Sequence, residues 1–440
     1  MPRPLVVINV VGLTYDRLGD NTPNIMQLVN DGGFARPMGT VLPAVTCSAQ
    51  STILTGELPN KHGIVANGWY FRELSEVFLW RQSNRLVHGE RIYDAARKIH
   101  PEYTVSKMFW WYNMYADVDW SVTPRPCYPA DGSKLFDSYS QPAELKSQLQ
   151  DRLGVFPLLK FWGPTANIES SRWIARAAVD VFNRYLPHLT LIYLPHLDYN
   201  LQRLGPDDPK IARDVQAVDA EVGRITKVAH ERNADIVVLS EYGITQVDRP
   251  IHINRILRDN GYARVRKEIA GWETLDYGES TAFAVADHQI AHVYIRKESD
   301  IAAVAELLRK VDGVEHALDR KQHASFGIDH ERSGELVVVS DKRSWFTYYF
   351  WLDDALAPDY ARTVDIHRKP GYDPVELYFD MATRSTPLDA TLICGSHGVS
   401  SADDDQQSVI VSNQPDLLQG RSWCDLDLAE MLIAEVCRED

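Results

Sequence analysis

Cysteine is scarce in this chain: five residues in 440, at positions 47, 127, 394, 424 and 437. They are scattered, odd in number and without paired spacing, so neither a disulfide framework nor a thiolate zinc module is indicated. Long apolar runs are also missing. The first, Leu5 to Leu13, is interrupted by Asn9 and Gly12 and is too short to span a bilayer. No small-residue cleavage site follows it, so it reads as a buried strand rather than a signal peptide. Positive charge is in deficit: 46 Lys and Arg stand against 61 Asp and Glu, a formal charge of −15. That balance argues against a nucleic-acid-binding face, which must be basic, but leaves a local anion site open. Internal repeats and low-complexity linkers are absent as well. What remains is a soluble, cytoplasmic chain, long enough for a large core in one elaborate domain or two to three compact units.

The pattern along the chain alternates strands and helices. Residues 5–11 (Leu-Val-Val-Ile-Asn-Val-Val) are almost continuously apolar and β-branched, as a central parallel strand requires. Thr22-Pro23 reads as an N-cap and first helical position, with Gly32-Gly33 as the stop. Another helix starts near Thr46 after Pro43 and ends at Gly56. Leu189 to Leu194 and Asp235 to Ser240 read as further buried strands. Between them Ile211, Val215, Val218, Val222, Ile225 and Val228 recur by three and four, one apolar stripe on a helix over 208–230. This rhythm predicts an α/β sandwich with a mostly parallel central sheet. From about 290 to 340 it changes: strand, amphipathic helix over 299–310, strand. A small inserted βαβ unit is expected at 289–345, with a core formed by 1–288 and 346–440. Ala390 to Cys394 is expected as a late core strand.

Chemistry concentrates in a few segments. The stretch Leu42-Pro-Ala-Val-Thr-Cys-Ser-Ala-Gln-Ser-Thr-Ile-Leu-Thr-Gly-Glu-Leu-Pro-Asn-Lys-His-Gly-Ile puts the Thr46 hydroxyl at a helix N-terminus, where free amides and the helix dipole favour an anion. A plain N-cap threonine is the bland alternative. Cys47 beside it reads as a small buried residue rather than a lowered-pKa thiol. This stretch resembles the nucleophile region of the alkaline phosphatase superfamily, in particular its nucleotide pyrophosphatase/phosphodiesterase and phosphonoacetate hydrolase branches. The resemblance implies an alkaline-phosphatase-like sandwich, a threonine nucleophile and two zinc ions held by carboxylates and imidazoles.

The remaining motifs are kept in order but altered at ligand positions. The first strand should end in Asp-Gly; here it reads Val11-Gly12, and an isopropyl group coordinates nothing. Leu194-Pro-His-Leu-Asp-Tyr-Asn-Leu-Gln-Arg-Leu-Gly-Pro resembles Asp-x-x-x-His-x-x-Gly-Pro, with Asp198 matching and Gln202 in place of His. An amide oxygen is a weak ligand for zinc. His196 is either structural or compensates for that loss. Val237-Val-Leu-Ser-Glu-Tyr-Gly-Ile resembles Ser-Asp-His-Gly-Met, so Glu241-Tyr242 replaces Asp-His. Tyrosine, with an ordinary pKa near 10, suits proton donation better than ligation. Cys394-Gly-Ser-His-Gly-Val-Ser-Ser keeps the late histidine as His397. The resemblance also implies an asparagine three positions after the nucleophile; the chain has Ala49 there, with Gln50 adjacent. The aromatic stretch Phe109 to Trp120, Trp110 included, is either core packing or a substrate-pocket wall. His367 and Asp373, in a polar Pro/Gly-rich loop, either face the pocket or lie in a solvated loop.

The implied assignment is Thr46, Glu241 and Tyr242 as catalytic, Gln50, Trp110 and His367 as substrate-binding, and Asp198, Gln202 and His397 as holding one divalent ion, zinc or manganese. A two-zinc centre is not expected. Three readings stay open: a hydrolase of phosphate or phosphonate esters of a small anionic metabolite, a metal-independent enzyme of another class, and a catalytically silent ligand-binding member. No membrane or nucleic-acid partner is expected, and a homo-oligomer is compatible with the sequence.

Overall fold

The computed structural model describes residues 3–399, 407–415 and 423–436. Its framework is a nine-stranded sheet centred on the strand Leu5–Val10. All six residues of that strand are buried, and it pairs in parallel with Leu189–Leu194 on one side and Asp235–Leu239 on the other. An apolar strand of this kind can be satisfied only between two covered faces. Beyond Leu189–Leu194 lie Val105–Met108 and Trp120–Pro124, both parallel, then Ser138–Gln141, antiparallel. Beyond Asp235–Leu239 lie Ser408–Ser412, antiparallel to both neighbours, then Phe34–Gly39 and Trp423–Cys424. The sheet is mixed but mostly parallel, as the alternation of strand and helix predicts.

Strand parity distributes the core between the two faces. Val6, Ile8 and Val10 point to a cluster containing Ile174, Val218, Val222 and Ile225, contributed by the helices Ile168–Tyr185 and Ile211–Glu231. Leu5 and Val7 point the other way, to Ile53, Ile92 and Leu428 of the helices Thr46–Thr55, Ile92–Ile99 and Asp427–Val436. The same alternation sends Ile236 and Val238 to the first face and Val237 and Leu239 to the second. Parity thus decides which side chains near a strand's carboxyl end share a face with the Thr46 helix.

Three local expectations are revised. The helix after Thr22 runs Pro23–Asn30, but the Thr22 side chain does not cap it; its hydroxyl bonds Gly19 instead. The free amides of Asn24 and Ile25 are taken by the buried carboxylate of Asp219, from the helix Ile211–Glu231. Ala390–Leu392 forms a single 3-10 turn, because Asp389 accepts the Thr391 amide and closes the turn locally. Only Gly395–Ser396 then joins a short two-stranded sheet with Thr245–Gln246. The segment read as βαβ carries a four-stranded sheet whose neighbours are all antiparallel, in the order Ala282–Asp287, Ile290–Ile295, Leu336–Ser340, Val314–Asp319. A tight turn at His288-Gln289 permits this hairpin, whereas parallel neighbours would need a long crossover. Helix Ile301–Arg309 packs on this sheet.

Candidate active site

The carboxyl ends of the three central strands converge with the N-terminus of the Thr46 helix, the edge where open α/β sheets place their ligands. Gly12 makes the first turn there. Its φ is +77°, and a Cβ would sit 2.8 Å from Leu201, so both conformation and space require glycine. Asn9 shares strand parity with Leu5 and Val7, so it faces the Thr46 helix. Its amide donates to Glu241 Oε2 at 2.6 Å, and the Gln50 amide donates to the same oxygen at 2.7 Å. Gln50 is itself held by the Trp111 backbone amide, which donates to its Oε1 at 2.7 Å.

Thr46 lies at the centre. Its Oγ1 is 3.1 Å from Tyr242 Oη, and Tyr242 donates to Asp198 Oδ1 at 3.3 Å. Gln202 Nε2 donates to Asp198 Oδ2 at 2.7 Å, while Tyr372 Oη donates to Gln202 Oε1 at 3.0 Å. The amide of Cys47, in the first turn of the Thr46 helix, donates to Asn67 Oδ1 at 2.9 Å. The His397 ring stacks on Tyr242 with centroids 3.6 Å apart and planes 8° apart. Its Nδ1 is 2.8 Å from the Ala44 carbonyl, which fixes the proton on that nitrogen. Its Nε2 therefore turns a lone pair towards Asp198 Oδ1, 4.0 Å away.

Burial dominates the electrostatics. Desolvation raises Asp198 to about 7, against the lowering effect of its bonds from Gln202 and Tyr242. It raises Glu241 to about 8, although Gln50, Thr46 and Asn9 oppose the shift. It lowers His397 to about 3, so the imidazole is neutral and does not form an ion pair with Asp198. Four neutral donors, from Asn9, Gln50, Gln202 and Tyr242, thus hold two buried carboxyl groups. Among the described residues, no group of three or more His, Cys, Asp or Glu side chains is placed to hold a metal ion. Beside Thr46, Asp198 Oδ1 and His397 Nε2 lie 4.0 Å apart.

Most of the residues singled out by sequence meet here: Thr46, Gln50, Asp198, Gln202, Glu241, Tyr242 and His397. Trp110 does not. It is wholly buried in the core cluster with Ile53 and Val105. The neighbouring Trp111 faces the site and packs on Trp80 at 4.8 Å, because Phe109 and Tyr112 take positive φ and break the phase of the stretch. His367 sits in the turn capped by Asp365, and burial lowers its pKa; no bond links it to the Thr46 cluster. His196 Nε2 lies 3.2 Å from Asp214 on the neighbouring helix, and Asp373 pairs with buried Lys369 at 2.8 Å.

Sequence reasoning missed Asn9, Asn67, Asp287, His288 and Tyr372. Asn9 had a signal, as the one polar residue in an otherwise apolar buried strand. Asn67 lies three residues beyond the His62-Gly63-Ile64 turn, and its side-chain oxygen accepts the Cys47 amide of the Thr46 helix. The other three carry no local signal.

Comparison with known proteins gives a consistent result. Residues 5–373 match the family described as type I phosphodiesterase / nucleotide pyrophosphatase. An uncharacterized pyrophosphatase/phosphodiesterase of Schizosaccharomyces pombe is 24% identical over 265 residues, covering 58% of this chain and 46% of that protein. The chain spans about half the length of the curated relatives it matches first. Murine ectonucleotide pyrophosphatase/phosphodiesterase 5 superposes with a TM-score of 0.62 at 15% identity, covering 99% of this chain and 95% of that one. Phosphonoacetate hydrolase from Sinorhizobium meliloti 1021, in complex with phosphonoformate, gives 0.64 at 15% identity, covering 99% and 96%. At such identities these structures establish the shared fold.

Proposed function

The chain belongs to the type I phosphodiesterase / nucleotide pyrophosphatase family, and on that footing we propose that it cleaves a phosphate or phosphonate ester of a small anionic metabolite, with Thr46 as nucleophile and at most one metal ion. The observation that carries this reading is the line from Thr46 Oγ1 to Tyr242 Oη to Asp198 Oδ1, at 3.1 and 3.3 Å. It has the logic of a nucleophile, a partner and an orienting carboxylate. As Thr46 attacks phosphorus, its proton passes to Tyr242 Oη while the Tyr242 proton passes to Asp198. The leaving alkoxide takes a proton from a neighbouring acid, for which Glu241 is the candidate.

A two-zinc centre of the kind implied by the resemblance does not fit these residues. Val11 stands at a ligand position with no donor atom and is buried in the core. Gln202 presents an N–H to Asp198 where an imidazole would present a lone pair. Glu241 Oε2 already accepts two amide N–H groups. Asp198 and His397 could share one ion, which would polarise the ester oxygen.

A second reading has its own support. Thr46 is 3% exposed and Tyr242 2%, so substrate enters only if the surrounding wall opens. Such closure also suits a ligand-binding member without turnover. The test is a screen of the purified full chain against nitrophenyl phosphodiesters and phosphonate esters, with Thr46→Ala and Tyr242→Phe in parallel. The hydrolase reading expects no turnover from the first and a loss of about 100-fold or more from the second. Binding of phosphonoformate by a wild-type chain that turns over nothing would instead establish the silent reading.

A further inference from the structure

We infer that His288, carried on the hairpin of the second sheet, is a positioning residue of the site, holding His397 and the Asp198–Gln202 pair in register with Thr46. The inference rests on the reading of Thr46 as the reacting group. His288 has φ +59°, a left-handed conformation that a side chain adopts only when its surroundings impose it. Contacts on two sides of its backbone impose it here. The Phe346 amide donates to its carbonyl at 2.7 Å. The next residue, Gln289, donates its amide to the His397 carbonyl at 2.9 Å, and the Ala44 amide donates to the Gly398 carbonyl at 3.0 Å. The hairpin is therefore bonded directly to the loop that carries His397, and that loop to the approach of the Thr46 helix.

The ring is placed as deliberately as the backbone. It lies 3.7 Å from the His397 ring and 3.8 Å from the Tyr372 ring, centroid to centroid. With Tyr242 on the far face of His397, four rings form one column: Tyr242, His397, His288, Tyr372. The two ends of the column are joined by polar atoms. Tyr372 donates to Gln202, Gln202 donates to Asp198, and Tyr242 donates to the other Asp198 oxygen. The circuit is closed, so a change in ring spacing at His288 is felt at Asp198. The adjacent Asp287 reaches the second wall. It accepts both the backbone and side-chain N–H of Asn67, at 2.8 and 3.0 Å, and Asn67 in turn accepts the Cys47 amide beside Thr46.

A bland alternative is that His288 merely fills volume in a buried place. Shape separates the two. Leucine supplies comparable volume without a flat face, whereas phenylalanine supplies the face without nitrogen. The experiment compares His288→Ala, His288→Leu and His288→Phe in the full chain. It reads the slowly exchanging Nδ1–H proton resonance of His397 by NMR, and kcat and KM on whichever ester the wild type cleaves. Positioning predicts that Phe retains the resonance and most of kcat, while Leu and Ala lose the resonance and about tenfold or more in kcat with KM little changed, the range typical of residues that orient catalytic groups. A His288→Leu chain with an unaltered His397 resonance and wild-type kcat would overturn it. If the wild type turns over no ester, the Thr46 reading fails, yet the resonance still decides whether His288 holds His397.

Discussion

Gln202 shows how a single side chain has been fitted to this site. Its nitrogen donates to Asp198 and its oxygen accepts from Tyr372, so one amide satisfies two buried partners in opposite directions. Leucine at this position would leave Asp198 Oδ2 and Tyr372 Oη without partners. Because a buried unsatisfied polar group costs about 1–3 kcal/mol, Gln202→Leu is expected to lower the urea midpoint by at least that equivalent. An unchanged midpoint would show that the circuit contributes nothing to stability. Residue-level legibility follows the same physics. Thr46, Asp198 and His397 were readable because their chemistry and their motif spacing agree. Glu241 and Tyr242 were readable as substitutions. His288 and Tyr372 were not, because the second sheet and a distant loop bring them in, and nothing near them in sequence marks that approach.

Among the elements, the helix Pro23–Asn30 is the clearest case of a tertiary override. The sequence offers Thr22 as its cap, a sound local expectation. The fold uses Asp219 instead, which accepts the Asn24 and Ile25 amides at 3.1 and 2.9 Å and the Asn24 side chain at 2.6 Å. A charged acceptor at a helix N-terminus is favoured twice, by the free amides and by the helix dipole. Asp219→Ala should therefore destabilise the chain by about 1–3 kcal/mol, whereas Thr22→Ala should cost well under half as much. Equal costs in chemical denaturation would contradict this division of labour. The strand expected at Ala390 failed for a comparable reason: its apolar residues suit a strand, but the Asp389 side chain closes the backbone into a turn first. The helix expected over 208–230 is present as Ile211–Glu231, and Ile211, Val215, Val218, Val222 and Ile225 of its stripe are buried, with Val228 half-buried.

For the whole molecule, buried titratable groups set the pH range of stability. Desolvation lowers His62 to about 3 and His292 to about 4, both held neutral in the fold. Each contributes stability that is present above the ordinary histidine value of 6.5 and is lost as pH falls below it. Buried carboxyls act in the other direction. Asp425 accepts the Val41 amide, and burial raises it from 3.8 to about 7. Its contribution is complete below the unfolded value and is lost as pH rises through about 7. Asp425→Asn, which resembles the protonated form, should therefore shrink the fall in unfolding free energy between pH 5 and pH 8. An identical fall in the variant and the wild type would refute the assignment.

The same burial governs the site. Two carboxyl groups there are held by amides and a phenol, in a place where the implied family chemistry would use cations. The account stands or falls on that substitution. The most direct measurement is the zinc and manganese content per chain of the full-length protein, by elemental analysis with and without added metal, alongside turnover on the same samples. The account predicts no more than one bound ion per chain whatever the supply. Two zinc ions per chain, with turnover abolished by chelation and restored only by zinc, would contradict it.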